Sequence, residues 1–243
     1  MSGHNKWSTI KNKKGKEDAK RGKIFTKHAR NITVAAREGG LDPEYNASLK
    51  TAIEMAKADN MPNDNIDRAI KKASGEAGGE NYERIIYEGY GPGGVAFIVD
   101  CLTDNKNRTA PDVRHIFDKF GGNLGTDGSV MFLFERKGEI VLNGEGKDFD
   151  DFMMDSLEAG ASDVDDLGEG YFEALTEVAD FNDTLENLKN MGYKVERANI
   201  SYIANNIEVD EDHHEKLNKL IDALEDNDDI QEVYHNWDMP SEQ

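Results

Sequence analysis

The sequence predicts a multidomain α+β protein in which a helical N-terminal domain precedes two α/β domains, one inserted into the other. The first observation is length, because 243 residues suit two or three domains of roughly 100–200 residues each. The second is a helical period of apolar residues over residues 21–75. The third is the alternation of short β-branched runs with helical periods from residue 82 onward, which fits two α/β units.

The helical domain is expected at residues 21–76, behind a basic arm of residues 1–20. The arm is rich in Lys, Asn and Gly and carries few apolar residues, so we expect it to be flexible. Three helices are expected next, since Gly39 and Gly40 end the first and Pro62 separates the other two. Their apolar faces are marked by Phe25, Ala29, Ile32 and Ala36, by Leu49, Ala52, Ile53 and Ala56, and by Ile66, Ala69, Ile70 and Ala73.

A split α/β domain is assigned to residues 82–136 and 204–238. Its expected strands lie at residues 85–87, 95–102, 130–134, 207–209 and 230–235. One helix is expected to start at Thr109, with Pro111 in its first turn, and another carries apolar residues from Leu217 to Leu224. From residue 94 onward these elements follow a β-α-β-β-α-β order.

The intervening residues 137–203 show the same β-α-β-β-α-β order. Strands are expected at residues 139–142, 163–167, 171–175 and 193–203, with helices marked by Phe149–Leu157 and Leu185–Met191. This order is the ferredoxin-like split βαβ arrangement. The sequence therefore predicts two ferredoxin-like α/β domains, with residues 137–203 inserted into the other.

Charge is distributed very unevenly along the chain. Residues 1–37 hold eleven Lys and Arg and two acidic residues, a net +9, whereas the other 206 residues carry −29. Basic side chains displace the counterions condensed on phosphates, which favours nucleic-acid binding, and an acidic body repels phosphate elsewhere. The alternative is a basic tail that only keeps the protein in solution.

The candidate nucleic-acid-binding residues follow from this charge pattern. Trp7 is included because an indole among lysines can stack on a base, although it could equally pack against the domain. The set consists of Lys6, Trp7, Lys11, Lys13, Lys14, Lys16, Lys20, Arg21, Lys23, Lys27, Arg30, Lys106 and Arg108.

Two loops are further candidates. Thr103–Thr109 runs from a buried strand to a helix N-terminus, which suits either an anion or an RNA backbone, or else forms an ordinary capped loop. The Gly-rich stretch Gly121–Gly128 either ends a helix and turns into a strand at Val130, or serves as a binding loop.

Other classes of function lack the motifs that they require. Phosphate-binding Gly-rich fingerprints, a nucleophile elbow and the usual zinc spacings are missing, so we expect no enzymatic activity, catalytic residue, cofactor, metal or small-molecule substrate. The single cysteine, Cys101, permits no internal disulfide. No apolar run approaches the 18 or more residues of a membrane span. We therefore expect a soluble, cytoplasmic protein that does not contact a membrane.

Several long stretches resemble the YebC family, which includes bacterial transcriptional regulators and a mitochondrial translational activator of cytochrome c oxidase. The matching stretches are Gly3–Trp7, Asp18–Lys27, Ile85–Gly94, Asp104–Phe117, Gly121–Val130 and Glu232–Asn236. The resemblance implies three domains and no enzymatic activity. It also implies one of two roles, either DNA binding with transcriptional regulation, or ribosome association that helps translation of difficult sequences such as proline runs.

The leading interpretation is a non-enzymatic regulator of gene expression that contacts ribosomal RNA or DNA. Because the basic arm lacks a recognisable base-reading motif, we expect stronger association with the ribosome than with duplex DNA. The alternative is a protein–protein adaptor whose acidic α/β domains bind a basic partner. Salt dependence separates the two, because phosphate contacts weaken steeply with salt.

Overall fold

The computed structural model describes residues 17–74, 81–144 and 146–240, with side chains described from residue 22 onward. Within these ranges the chain has mixed helix and sheet, with four-stranded antiparallel sheets, which confirms the predicted α+β class. In chain order the elements are α1 (Glu17–Gly39), α2 (Ala47–Ala58), α3 (Asn63–Ala73), β1 (Glu83–Tyr90), β2 (Ala96–Thr103), α4 (Lys106–Lys119), β3 (Asn123–Leu124), β4 (Phe134–Asn143), α5 (Phe149–Ala159), β5 (Asp163–Gly168), β6 (Tyr171–Thr176), α6 (Phe181–Asn190), β7 (Lys194–Ala204), α7 (Glu211–Glu225) and β8 (Ile230–His235).

The helical domain buries the apolar faces expected from the sequence. Ile32, Leu49 and Ile66, one from each helix, lie in its core. The Asn46 side chain accepts a hydrogen bond from the Leu49 amide and so caps α2. Helix α1 begins at Glu17, so the last four residues of the expected arm are helical.

The second sheet, in the order β5-β6-β4-β7, has the β-α-β-β-α-β chain order expected for residues 137–203. Helices α5 and α6 pack on one face around an aromatic cluster in which the Phe152 and Phe172 rings stack 4.8 Å apart. The expected short strand at residues 139–142 is longer, because β4 begins at Phe134 and pairs with β7 along its whole length.

The first sheet has the order β3-β1-β2-β8, with α4 and α7 packed on one face. Strand β1 occupies the position between β3 and β2 and is paired with both. Phe97, Phe117, Leu217 and Trp237 form the buried layer between this sheet and its helices. This unit therefore does not follow the expected β-α-β-β-α-β order from residue 94 onward. Strand β1, which precedes that expected pattern in the chain, completes the sheet.

Three local predictions in this unit are wrong. Residues 130–134 do not form a strand, since Met131–Leu133 is a 3-10 turn that leads into β4. The expected strand at residues 207–209 is a single bridge between Ile207 and Trp237. Helix α4 starts at Lys106 rather than Thr109, because Asn105 accepts a hydrogen bond from the Arg108 amide and caps it.

Candidate nucleic-acid interface

Helix α1 packs its basic face against the C-terminal end of α7. Lys23 Nζ lies 3.0 Å from the Asp226 carbonyl oxygen and 3.2 Å from Asp226 Oδ1. Lys27 Nζ donates to the Glu225 carbonyl oxygen at 3.0 Å. The last carbonyls of a helix have no partner within it and carry partial negative charge, so they attract cations. Two of the expected phosphate-binding lysines thus hold the helical domain on the first α/β unit.

Arg30 extends this contact by one further turn of α1. Its Nη1 atom donates to the carbonyl oxygens of Leu102 at 3.0 Å and Asp228 at 2.8 Å, and to Asp229 Oδ1 at 2.8 Å. The guanidinium lies 5.3 Å from the centre of the Tyr82 ring. Only 14% of the Arg30 side chain is exposed. Arg30 therefore joins α1 to the first α/β unit and offers little surface to a ligand.

Asp229 is the common partner of several polar side chains, which we call the Asp229 cluster: Arg30, Thr103, Arg108, Thr109 and Asp229. Arg108 Nη2 donates to Asp229 Oδ2 at 2.8 Å, and the Thr109 hydroxyl lies 2.8 Å from the same oxygen. Burial alone would raise the pKa of Asp229, but hydrogen bonds from Arg108, Arg30 and Thr109 outweigh it and hold the pKa below its ordinary value.

The open side of this cluster is a cavity of about 470 Å³. Its basic lining residues are Lys23, Arg30 and Arg108, and its acidic ones are Asp104, Asp112, Asp226, Asp228 and Asp229. Acidic residues outnumber basic ones, so the cavity does not offer net positive charge to a phosphate. Its bases are instead paired with neighbouring acids of the same chain.

The thirteen candidate residues are therefore distributed over several places. Lys6, Trp7, Lys11, Lys13, Lys14 and Lys16 lie outside the described residues, and Lys20 and Arg21 lie on α1 with side chains outside the description. Lys23, Lys27 and Arg30 meet the α7–β8 region, and Arg108 joins Arg30 through Asp229. Lys106 is exposed in the first turn of α4. Burial lowers the pKa of Lys27, against the attraction of Glu232 and Asp228.

The Gly-rich loop is held by a residue that the sequence reasoning did not single out. Glu88, buried at the end of β1, accepts hydrogen bonds from the amides of Gly128 at 2.6 Å, Val130 at 2.8 Å and Met131 at 2.7 Å. Burial alone would raise the pKa of Glu88, yet these three bonds outweigh it and lower the pKa. The ionised carboxylate of Glu88 therefore holds the loop in place.

Other kinds of site find no support in the described ranges. There, His, Cys, Asp and Glu form no group of three or more that could hold a metal ion. Among the same residues, helices that are both long and apolar enough to cross a membrane are absent. Cys101 is buried, and burial raises the pKa of its thiol to about 12, which makes it a poor nucleophile.

Comparison with known proteins gives the family. The model of the TACO1/YebC N-terminal domain matches residues 5–76, and that of the TACO1/YebC second and third domains matches residues 82–237. The chain belongs to the TACO1/YebC family. The YebC resemblance read from the sequence motifs is thereby confirmed.

Relatives of this TACO1/YebC chain match over nearly its full length. A "probable transcriptional regulatory protein" of Finegoldia magna is 61% identical, covering 98% of this chain and 99% of its own. A protein of the same description from Clostridioides difficile is 57% identical, and the match covers 95% of this chain and 97% of that protein. The crystal structure of a conserved hypothetical protein from Aquifex aeolicus is 46% identical, with a TM-score of 0.86 and 93% of each chain covered.

Proposed function

We propose that this chain is a non-enzymatic regulator of gene expression that binds nucleic acid through its basic N-terminal region. The observation that carries the proposal is the charge division, +9 over residues 1–37 against −29 over the rest. The description of its relatives as probable transcriptional regulatory proteins supports the same class of function. An acidic body confines phosphate contact to one end of the molecule.

The contacts of α1 divide this basic region into two parts. Lys23, Lys27 and Arg30 are engaged with the α7–β8 region. The phosphate contacts then fall mainly to the lysines that precede Glu17. These three residues lie on successive turns of α1, so this part of the helix is held against the acidic body.

We favour the ribosome over duplex DNA as the main target. Lysine contacts phosphate but does not read base edges, so the basic region offers little duplex specificity. RNA presents shaped clefts and unpaired bases, which a basic segment on an acidic body can enter while the acidic domains face solvent or basic proteins. Ribosomal proteins rich in Lys and Arg would complement those domains.

Reversing the charge of Lys11, Lys13, Lys14 and Lys16 to Glu is expected to abolish binding to ribosomes and to single-stranded RNA while the fold is retained. Four phosphate contacts would be lost, so any residual binding should show a salt slope shallower by about 3. Binding is measured by fluorescence anisotropy at several salt concentrations, and folding by circular dichroism.

A control variant carries the same change in net charge elsewhere. Lys50, Lys57, Lys71 and Lys216 are exposed in the structure, and their joint replacement by Glu should leave most of the affinity. Equal losses in the two variants would show a general charge effect and count against the N-terminal region. Undiminished binding by the first variant would favour the adaptor alternative.

A further inference from the structure

We propose that Phe132, displayed beside the Gly-rich loop of residues 121–128, is a stacking platform for an unpaired RNA base. This inference rests on the proposed function and adds a second contact to it, on the first α/β unit. The chemistry required is an exposed aromatic ring, a rigid support and a local charge that does not repel phosphate.

The ring is displayed by the 3-10 turn. Phe132 is 73% exposed and Leu133 38%, whereas Val130 and Phe134 on either side are buried. Those two neighbours pack with Ile98 in a small core on the back of the first sheet. Phe132 therefore lies between two buried anchors, which direct its ring outward.

The support is rigid because a buried carboxylate holds it. Glu88 accepts three amide hydrogen bonds from Gly128, Val130 and Met131, and its carbonyl accepts a fourth from Gly125 at 2.8 Å. The Tyr90 hydroxyl donates to the Ser129 carbonyl oxygen at 3.0 Å. A loop fixed in this way loses little conformational entropy when a ligand binds it.

The surrounding segment differs in charge from the rest of the acidic body. Residues 105–137 hold six Lys and Arg and four acidic residues, a net +2, whereas residues 38–104 carry −7 and residues 138–243 carry −24. Lys119, just before the loop, and Arg136, just after the turn, are both exposed. A phosphate backbone can therefore approach this segment without net repulsion.

These features favour RNA over a protein partner or duplex DNA. Bases in a duplex are stacked on each other, while those of RNA loops can be splayed out onto an aromatic ring. A single exposed ring is enough for one stacked base, whereas a stable protein interface needs roughly 800 Å² per partner.

The test compares Phe132→Ala and Phe132→Trp with Tyr45→Ala. Tyr45 is the matched control, since it is 89% exposed in the α1–α2 turn, directly after the acidic residues Asp42 and Glu44. The probe is a fluorescein-labelled, mixed-sequence single-stranded RNA of about 16 nucleotides, titrated at several salt concentrations. Purified ribosomes serve as the second probe.

Phe132→Ala should weaken RNA binding by about 5- to 150-fold, the range for losing one stacked base, without changing the salt slope, because Phe132 neutralises no phosphate. Phe132→Trp should retain the affinity. Glu88→Gln, which leaves Phe132 in place but weakens the bonds that fix the loop, should shift affinity in the same direction as Phe132→Ala.

The outcomes separate the two proposals. If wild-type protein binds neither probe, the proposed function itself fails. If wild-type protein binds and loses affinity on reversal of the N-terminal lysines, but Phe132→Ala equals Tyr45→Ala, the stacking platform alone is overturned. A loss of ribosome binding with unchanged RNA binding would also overturn it, and would assign this surface to a ribosomal protein.

Discussion

Replacing Asp229 by Ala is expected to lower the free energy of unfolding by about 3 kcal/mol, the low end of the cost of breaking a buried ion pair. The side chain of Asp229 is only 6% exposed and bonds both Arg30 and Arg108. We expect the low end because Arg108 is half-exposed and can turn to water. In this variant, Arg30 also retains its hydrogen bonds to the carbonyl oxygens of Leu102 and Asp228.

Urea denaturation followed by circular dichroism measures this loss, and hydrogen exchange of α1 amides measures its docking. Asp228→Ala is the matched control, because Asp228 is exposed and contacts Arg30 through its backbone oxygen, which alanine retains. An Asp229→Ala protein as stable as Asp228→Ala would show that the cluster does not hold the domains together.

Replacing Glu173 by Gln is expected to stabilise the protein at neutral pH. Glu173 on β6 and Glu139 on β4 are 1% and 2% exposed. Burial, followed by the charge of Glu139 and a hydrogen bond with it, raises the pKa of Glu173 well above its ordinary value of 4.5. The folded protein therefore holds the proton on Glu173 to a higher pH than the unfolded chain does, and this difference opposes folding as pH rises above 4.5.

The direction of this pKa shift determines how the free energy of unfolding depends on pH. Below pH 4.5 the folded and the unfolded protein both hold the proton, so the raised pKa of Glu173 does not lower the free energy of unfolding. As pH rises above 4.5, the free energy of unfolding falls by about 1.4 kcal/mol per pH unit until the raised pKa is passed. Glutamine removes this dependence while preserving shape.

The advantage of Glu173→Gln over wild type should therefore grow from pH 4.5 to pH 7 in urea denaturation experiments. Glu158→Gln, at an exposed position on α5, is the control and should show no such growth. A constant difference across this range would contradict a raised pKa of Glu173 in the folded protein.

Periodicity predicted the second sheet well because every strand and helix of residues 137–203 carries its own apolar pattern. It failed at residues 130–134, where an apolar run looks like a strand. The Val130 and Met131 amides bond the Glu88 carboxylate, more than 40 residues earlier in the chain, and so cannot join a ladder. No local pattern reports such a partner.

The candidate site shows the same limit. Counting charges located a basic segment, but it could not show that Lys27 and Arg30 bind carbonyl and carboxylate oxygens almost 200 residues away. Asp229 carries no signal in a chain with 49 acidic residues. The sequence predicts that α4 starts at Thr109, but Asn105 provides the cap, and Thr109 is buried inside the helix, where it bonds Asp229.

The central claim is tested most directly by comparing ribosome and duplex binding at one physiological salt concentration. Cosedimentation of the full chain with purified ribosomes would be set against competition binding to promoter and scrambled duplexes. We expect cosedimentation that the reversal of Lys11, Lys13, Lys14 and Lys16 abolishes, with weak and equal binding to both duplexes. A promoter preference of about a thousandfold, as specific regulators show, without ribosome cosedimentation would contradict it.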